Sequence, residues 1–345
     1  MKKKRLTTVL GVVLALFVVA GLIGIMIHNN KSSGPSDFVI EDGVLTKYTG
    51  DAAYVSIPKD VRSIASFVFY NHTEIERVKM ADTVTNIGQG AFYGCTNLKN
   101  LSLSKGLTYI DDGAFGECDS LESFEVPASV QFIIEGAFYG SDSIMQFTVS
   151  PDNAAFTSVD GVLYTKDMSI ILAYPAGRVD TEYTVSDSVS YIAAWAFHCA
   201  ENLQNVTLPA SVTKIGEEAF YASGLTQLSL PAALTELGTG VFFECTALTQ
   251  LEIPQGVTVI PTRALSGCTA LQSVTLPEGL TEISQMAFSD CPALETVNIP
   301  SSLTDISENS FQGCANLTLV CGEGSFIVDF AEAMGIAFVP VSPSN

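Results

Sequence analysis

The sequence predicts an α/β repeat solenoid whose short strands form one parallel sheet, preceded by one N-terminal transmembrane helix. Three observations support this prediction. A pattern of apolar residues recurs every 23 residues, most copies contain a strand-like segment with a proline at its end, and 22 consecutive residues near the N-terminus carry no charge. A single 23-residue unit cannot enclose its own apolar residues, so each unit must bury them against the units before and after it.

The repeat is clearest from Leu271 to Pro300, where the pattern is L-x-x-V-x-L-P-x-x-L-x-x-I-x-x-x-A-F-x-x-C-x-x-L. The phenylalanine of this pattern, here called the Phe position, recurs ten times and predicts about ten turns of 23 residues. One spacing, between Phe220 and Phe242, is a residue shorter. The ten residues at the Phe position are Phe69, Phe92, Phe115, Phe138, Phe197, Phe220, Phe242, Leu265, Phe288 and Phe311.

Each unit contains two kinds of apolar spacing. The segment V-x-L-P, as in Val274 to Pro277, alternates apolar and polar residues as a short strand does, and proline ends the strand because it cannot donate a ladder hydrogen bond. The segment I-x-x-x-A-F-x-x-C spaces its apolar residues by three and four. This spacing predicts one or two turns of helix with Phe and Cys pointing inward.

These residues resemble the BspA-type (treponemal) leucine-rich repeat, whose signature is LP...L..I...AF..C..L, and the resemblance covers about residues 55–320. The chain differs from ordinary leucine-rich repeats because no consistent asparagine follows the strand, where proline and a small or charged residue stand instead, so no asparagine ladder is expected. The resemblance implies a non-enzymatic cell-surface protein that binds or adheres to protein or glycan partners. It also implies one continuous solenoid.

The N-terminus predicts an uncleaved signal anchor. Four basic residues precede the uncharged run from Leu6 to Ile27, which is long enough to cross a bilayer at about 1.5 Å per helical residue. The basic residues place the N-terminus in the cytoplasm and the repeats outside the cell. The alternative is a cleaved signal peptide with a poor processing site at Val18-Val19-Ala20, which would make the protein secreted.

Composition and spacing divide the chain into seven segments. An insert adds 36 residues between Phe138 and Phe197, and its sequence predicts a hairpin around Lys166 to Ser169. Either a second array begins there, or the hairpin lies on the side of one solenoid, as the resemblance implies. We expect the fold to tolerate deletion of this hairpin. The segments are 1–28, basic end and transmembrane anchor; 29–37, linker; 38–54, capping hairpin; 55–150, first array; 151–186, hairpin insert; 187–320, second array; and 321–345, C-terminal cap and tail.

The C-terminal segment predicts a short amphipathic helix that caps the solenoid. Phe326, Ile327, Phe330 and Met334 would share its apolar face, and Gly335 would end it.

Charge and cysteine spacing limit the possible functions. Without the four basic residues of the N-terminus, 12 Lys plus Arg face 37 Asp plus Glu, a net charge of −25 that excludes nucleic acid as a partner. Six of the eight cysteines occupy one repeat position, where parallel side chains would stack with poor geometry for disulfides. We therefore expect buried, free thiols. A serine in place of Cys268 would put a hydroxyl into this apolar column at a cost of about 1–3 kcal/mol.

No catalytic, cofactor-binding or metal-binding residues are predicted. The chain has three histidines and lacks the GxSxG, HExxH, GxxxxGK[ST] and strand-to-helix GxGxxG motifs, so an enzyme is the least favoured class. The acidic pairs, such as Asp111-Asp112, are interpreted as solvated loop residues.

The remaining candidate for a functional site is the surface formed by the outward residues of the strands. These residues are short and polar, and almost none is aromatic. This surface suits weak, hydrogen-bonded binding along several turns of a monomer. The alternative function is a structural or accessory ectodomain that positions a membrane-associated complex. The candidate binding residues in the second array are Gln227, Ser229, Gln250, Glu252, Ser273, Thr275, Thr296 and Asn298, and Tyr164 and Tyr174 of the insert are predicted to be exposed aromatic anchors.

Overall fold

The computed structural model describes residues 31–341. Within this range, no helix has both the length and the apolar character needed to span a bilayer. The predicted transmembrane anchor at 1–28 lies outside the described residues.

The described chain is a β-solenoid with two rows of short parallel strands. Thirteen strands of the described range form the first row, and parallel pairing along it is interrupted after Ser102, after Val149 and after Leu228. These strands are β3 (Tyr54–Ser56), β5 (Arg77–Lys79), β7 (Asn100–Ser102), β9 (Ser123–Val126), β11 (Gln146–Val149), β15 (Glu182–Thr184), β17 (Asn205–Thr207), β19 (Gln227–Leu228), β21 (Gln250–Glu252), β23 (Ser273–Thr275), β25 (Thr296–Asn298), β27 (Thr318–Gly322) and β28 (Ala337–Val341).

The second row contains two-residue strands that follow the first-row strand of each unit, in most units after a proline. Its strands pair in parallel, as Ser63 with Asn86 and Ile64 with Ile87, except for interruptions after Ile133 and after Leu237. The row consists of β4 (Ser63–Ile64), β6 (Asn86–Ile87), β8 (Tyr109–Ile110), β10 (Phe132–Ile133), β16 (Tyr191–Ile192), β18 (Lys214–Ile215), β20 (Glu236–Leu237), β22 (Val259–Ile260), β24 (Glu282–Ile283) and β26 (Asp305–Ile306).

The prediction of helical turns around the Phe position is wrong. The residues two before and two after Phe92, Gly90 and Gly94, have left-handed φ angles of 56° and 71°, which no α-helix accommodates. With the chain in this conformation, the Phe92 amide donates to the next turn, at Ala114 O, over 2.9 Å. The third side is therefore held by hydrogen bonds between turns, and the repeats form a β-solenoid and not an α/β one.

The predicted number of turns is also wrong, since the structure contains about 13. Counting the Phe position underestimates the turns because an array with four such positions is bounded by five first-row strands, β3 to β11. The same offset applies to the second array, and β28 adds one more strand beyond the last repeat.

The Phe position forms stacked columns inside the solenoid. Phe69 and Phe92 stack with their ring centroids 4.8 Å apart, and Phe92 and Phe115 follow at 5.4 Å. All three side chains are completely buried. This stacking of identical residues is the packing that the 23-residue period predicts, because each ring covers the corresponding ring of the next turn.

The cysteines of the repeats are free, and five of the six at the repeat position are buried, as predicted. Each thiol has a polar partner: Cys268 Sγ lies 3.2 Å from Phe242 O, and Cys95 Sγ lies 3.2 Å from Phe69 O. Ser141 makes the same contact to Phe115 O at 2.5 Å. The column is therefore a row of donors to the carbonyls of the Phe position, and the prediction that a hydroxyl would enter a purely apolar column is wrong.

This contact reverses the expected effect of a serine. We expect Cys268→Ser to change stability by less than about 1 kcal/mol, because its hydroxyl can donate to the Phe242 carbonyl as the thiol does. Cys268→Ala should cost about 1–2 kcal/mol, because it leaves a small cavity and removes one of the two donors to that carbonyl, the other being the Cys245 amide at 3.1 Å. Burial raises the pKa of the Cys268 thiol well above its usual value, so the wild-type group stays a donor. Urea unfolding of both variants measures the difference. Ser141→Ala should cost more than Cys268→Ala, because Ser141 Oγ donates to Phe115 O and also accepts from the Cys118 amide. A larger loss for Cys268→Ser than for Cys268→Ala would contradict the assignment.

The N-terminal end is closed by an antiparallel hairpin of β1 (Phe38–Glu41) and β2 (Val44–Tyr48), joined through Asp42 and Gly43 at positive φ. β2 pairs in parallel with β4 and so begins the second row. Before the hairpin, Pro35–Asp37 forms a 3-10 turn. The described part of the predicted linker is not a free spacer, because Tyr54 O accepts a bond from the Ser33 amide at 2.8 Å.

The insert lies between the two arrays and not on the side of the solenoid. It contributes an antiparallel sheet of β12 (Phe156–Val159), β13 (Val162–Thr165) and β14 (Ile170–Ala173), and β14 then pairs in parallel with β16. Neighbouring residues of β13 enter different cores, Leu163 that of the first array and Tyr164 that of the second. The insert is therefore a shared wall between two cores, and the prediction that it is dispensable is contradicted by this burial.

The C-terminal end is closed by α1 (Phe326–Met334) and β28, which pairs in parallel with β27. Gly335 ends the helix at φ 69°, as predicted. The predicted apolar face is partly wrong, because Ile327 and Ala331 are the buried residues while Phe326 and Met334 are exposed.

Candidate functional site

The outward residues of the first row lie where the alternation of the strands predicts. In β21, Leu251 is buried while Gln250 and Glu252 are exposed, and β23 and β25 repeat this arrangement. All eight predicted strand-face residues of the second array are exposed. They form a polar surface along four successive strands, β19, β21, β23 and β25.

Six of these residues line one cleft of about 480 Å³ over β19, β21 and β23. Its walls are the outward pairs of the three strands, and Leu228 and Leu251 contribute the apolar floor. Its volume lies within the range of small-ligand pockets, about 300–1,000 Å³. The six predicted residues that the structure brings together are Gln227, Ser229, Gln250, Glu252, Ser273 and Thr275.

The cleft coincides with an interruption of the strand row after the shortened repeat. That repeat lacks one residue between Phe220 and Gln227, and its turn contains Gly224, where an added Cβ would lie 2.0 Å from Glu201 O. Only glycine permits this close approach. β19 pairs with β17 before it but not with β21 after it, so the six residues surround a gap in the sheet.

The cleft can exchange hydrogen bonds with a polar, extended ligand. Gln227 and Gln250 each offer an amide donor and acceptor, and Ser273 and Thr275 offer hydroxyls that act in either role. Glu252 contributes the one carboxylate among the lining residues, which disfavours anionic ligands. Hydroxyl-rich chains and peptide main chains carry complementary groups.

The other predicted site residues are not part of this cleft. Thr296 and Asn298 are exposed on β25 but do not line it. Tyr164 and Tyr174 are buried, with 1% and 5% of their surfaces exposed, so the prediction that they form an exposed anchor is wrong. Tyr164 hydrogen-bonds to Tyr183, which fixes it in the second core.

Tyr174 has a structural counterpart at the other end of the chain. Its ring lies 5.2 Å from that of Phe197, just as Tyr48 of the entry hairpin lies 5.0 Å from Phe69. Each tyrosine therefore covers the first phenylalanine of an array. The Asp-Gly-Val-Leu segments at 42–45 and 160–163 were the sequence signal for this second cap.

A second group of polar side chains lies at the junction of the two arrays. The ligand atoms of Asp142, His198 and Cys199 all lie within 4.8 Å of one another. Burial and, to a smaller extent, the nearby Asp119 and Glu201 carboxylates together raise the pKa of the Asp142 carboxyl to about 6. Burial lowers the pKa of His198 to about 4, so the imidazole is neutral at pH 7.

Sequence analysis missed this junction group and part of the cleft. Asp142 and His198 are 56 residues apart with the insert between them, so no spacing pattern connects them. The one available signal was Cys199, which lies one residue off the cysteine position of the repeat. Gln255 also lines the cleft, although it lies beyond the strand motif.

The repeats match the model of the BspA type leucine-rich repeat region in six copies, over residues 40–159 and 190–318. Most of the insert falls in the gap between these ranges. No curated protein shows significant similarity to the chain.

Solved bacterial structures share the fold. A leucine-rich repeat protein from Eubacterium ventriosum is 27% identical with a TM-score of 0.65, over 80% of this chain and 92% of that one. A leucine rich cell surface protein from Faecalibacterium prausnitzii is 25% identical with a TM-score of 0.52, over 86% and 95%. The pneumococcal vaccine antigen PcpA is 19% identical with a TM-score of 0.68, over 84% and 79%, and shows the fold alone. Since the matched repeats span more than half of the 345 residues, the chain belongs to the BspA-type leucine-rich repeat family.

Proposed function

We propose that this protein is a non-enzymatic cell-surface module that binds a polar partner in the cleft over β19, β21 and β23. The observation that carries the proposal is the convergence of six outward polar residues around the interruption of the first row between β19 and β21. A protein or glycan chain that presents hydroxyls or amides fits the donors and acceptors of the cleft. Repeat solenoids use such continuous surfaces for binding.

The proposed location is the outer side of the cell membrane, with the N-terminal helix as anchor and the N-terminus in the cytoplasm. The basic residues before the uncharged run support this orientation. The similar protein from Faecalibacterium prausnitzii is described as a cell surface protein. N-terminal sequencing of the membrane fraction tests the anchor, and a mature chain beginning near Gly21 in the culture medium would make the protein secreted.

We expect the double variant Gln227→Lys/Gln250→Lys to weaken partner binding at least tenfold. The two substitutions remove amide groups from the cleft walls and fill the cleft with charged side chains, and the loss of one or two hydrogen bonds of about 1 kcal/mol each corresponds to roughly tenfold. Binding of the full-length, detergent-solubilised protein to purified matrix proteins and wall glycans is the measurement.

The matched control is Asn100→Lys/Ser123→Lys, which changes outward residues of β7 and β9 in the same row but away from the cleft. Equal losses in both variants would show a charge effect and overturn the assignment of the cleft. If the intact protein binds none of the probes, the alternative function is favoured, a structural or accessory ectodomain that positions a membrane-associated complex.

A further inference from the structure

We propose that Asp142, His198 and Cys199 form a binding site for a Zn²⁺ ion that joins the two arrays. Asp142 belongs to the last repeat of the first array, while His198 and Cys199 belong to the first repeat of the second. A cation bound by all three would connect the two sides of the junction that the insert separates in sequence.

The geometry brings together three different ligand types. The carboxylate, imidazole and thiol ligand atoms lie within 4.8 Å of one another. In a tetrahedral zinc site with metal–ligand distances of about 2.0–2.3 Å, ligand atoms lie roughly 3.3–3.8 Å apart. Side-chain rotations that move the ligand atoms by about 1 Å therefore complete the site. The partly buried position of Cys199 leaves room for these rotations.

Two observations at the junction point independently to a ligand. His198 Nδ1 is buried and has no hydrogen-bond partner among the described residues, and the same holds for Tyr174 Oη. Both side chains line a cavity of about 30 Å³, which Asp142 also lines. A cavity of this size accommodates about one water molecule, which would serve as the fourth zinc ligand and hydrogen-bond to Tyr174.

The orientation of His198 is determined by its neighbours. Its ring stacks on Tyr221 with the centroids 4.6 Å apart and lies 6.0 Å from Tyr139. The repeat places tyrosine at this position in the adjacent turns, so stacking alone does not require an imidazole. The histidine adds a ring nitrogen that stacking leaves unpaired.

The local charge favours a cation. Asp119, Asp142 and Glu201 occupy one repeat position in three successive turns and form a column of carboxylates. Among the described groups that shift the pKa of Asp142, none is a lysine or arginine. A divalent cation would neutralise this column, because opposite charges within a few Å stabilise the ionised carboxylates.

The ligand set selects the type of metal. Imidazole nitrogen and thiolate sulfur are ligands for zinc, whereas calcium and magnesium prefer oxygen alone. Zinc binding displaces the thiol proton of Cys199 to solvent, since the thiolate is the metal ligand.

We expect the full-length protein, after EDTA treatment and desalting, to bind about one Zn²⁺ per chain, measured by elemental analysis of the gel-filtered protein. Co²⁺ should produce a thiolate-to-cobalt absorption band in the near ultraviolet. Cys199→Ser, Asp142→Asn and His198→Tyr should each raise the Kd at least about tenfold. His198→Tyr preserves the ring stacking at this position, because the adjacent turns carry Tyr139 and Tyr221 there.

Cys314→Ser is the matched control, because Cys314 is also half-buried but lies near the C-terminal end of the solenoid. Zn²⁺ should raise the urea midpoint of unfolding for this control and for the wild type, but not for Cys199→Ser. Binding of less than about a tenth of an equivalent by the wild type would overturn the proposal. The proposal would also be overturned if the single variants Cys199→Ser and His198→Tyr both bound Zn²⁺ as tightly as the wild type.

Discussion

Leu163→Ala and Tyr164→Ala are expected to destabilise opposite halves of the solenoid, each by about 2–5 kcal/mol. The two residues are neighbours in β13, both are almost completely buried, and they enter different hydrophobic cores. Loss of either side chain leaves a cavity in one core only. Because each turn of a solenoid contacts mainly its neighbours, the loss of stability should remain within one array.

Amide hydrogen exchange followed by mass spectrometry distinguishes the two effects. Leu163→Ala should accelerate exchange in the first array, residues 55–150, and Tyr164→Ala in the second, residues 187–320. Lys166→Ala, an exposed residue in the same hairpin, should change stability by less than about 0.5 kcal/mol. If both core variants accelerate exchange in the same array, the insert is not a wall between two cores.

Phe220→Ala is expected to cost about 3–5 kcal/mol, which makes it one of the most damaging single substitutions in the second array. Phe220 is completely buried, and its ring lies 4.9 Å from that of Phe197 and 5.7 Å from that of Phe242. Its removal interrupts the aromatic column and leaves both neighbouring rings facing a cavity. Urea unfolding followed by circular dichroism measures the loss.

Two further variants test whether the loss comes from the buried phenylalanine column or from the removal of any large apolar side chain. Phe220→Leu should recover more than half of the loss, because Leu265 occupies the same repeat position two turns later. Phe132→Ala should have little effect, since 58% of Phe132 is exposed. Equal losses for Phe220→Ala and Phe132→Ala would contradict the importance of the column.

Local sequence patterns were sufficient for the features that repeat along the chain. The alternation around Val274 predicted a strand with one buried face, and Gly335 predicted the end of the C-terminal helix. The outward residues of the cleft were predictable for the same reason, since alternation alone assigns Gln250 and Glu252 to the exposed side. Whether such residues line a cleft was not predictable, because that depends on pairing between β19 and β21.

The insert shows why a local pattern can be assigned correctly and still be misplaced. Its strands were predicted, but Val162, Leu163 and Tyr164 are three consecutive apolar residues, which is typical of a strand buried on both faces. A hairpin on the side of the solenoid would leave one of these faces in water. The burial of Tyr164 and Tyr174 follows from this position between the arrays.

The sequence by itself determined the period, the strands, the inward and outward residues, and membership of a repeat family, because each depends on residues within one 23-residue unit. The tertiary structure decided which turn neighbours which. It replaced the predicted helices with hydrogen bonds between turns, because the left-handed residues around Phe92 direct its amide toward Ala114. It also placed Asp142 beside His198 across the insert, a contact that depends on chain-distant packing and leaves no spacing pattern in the sequence.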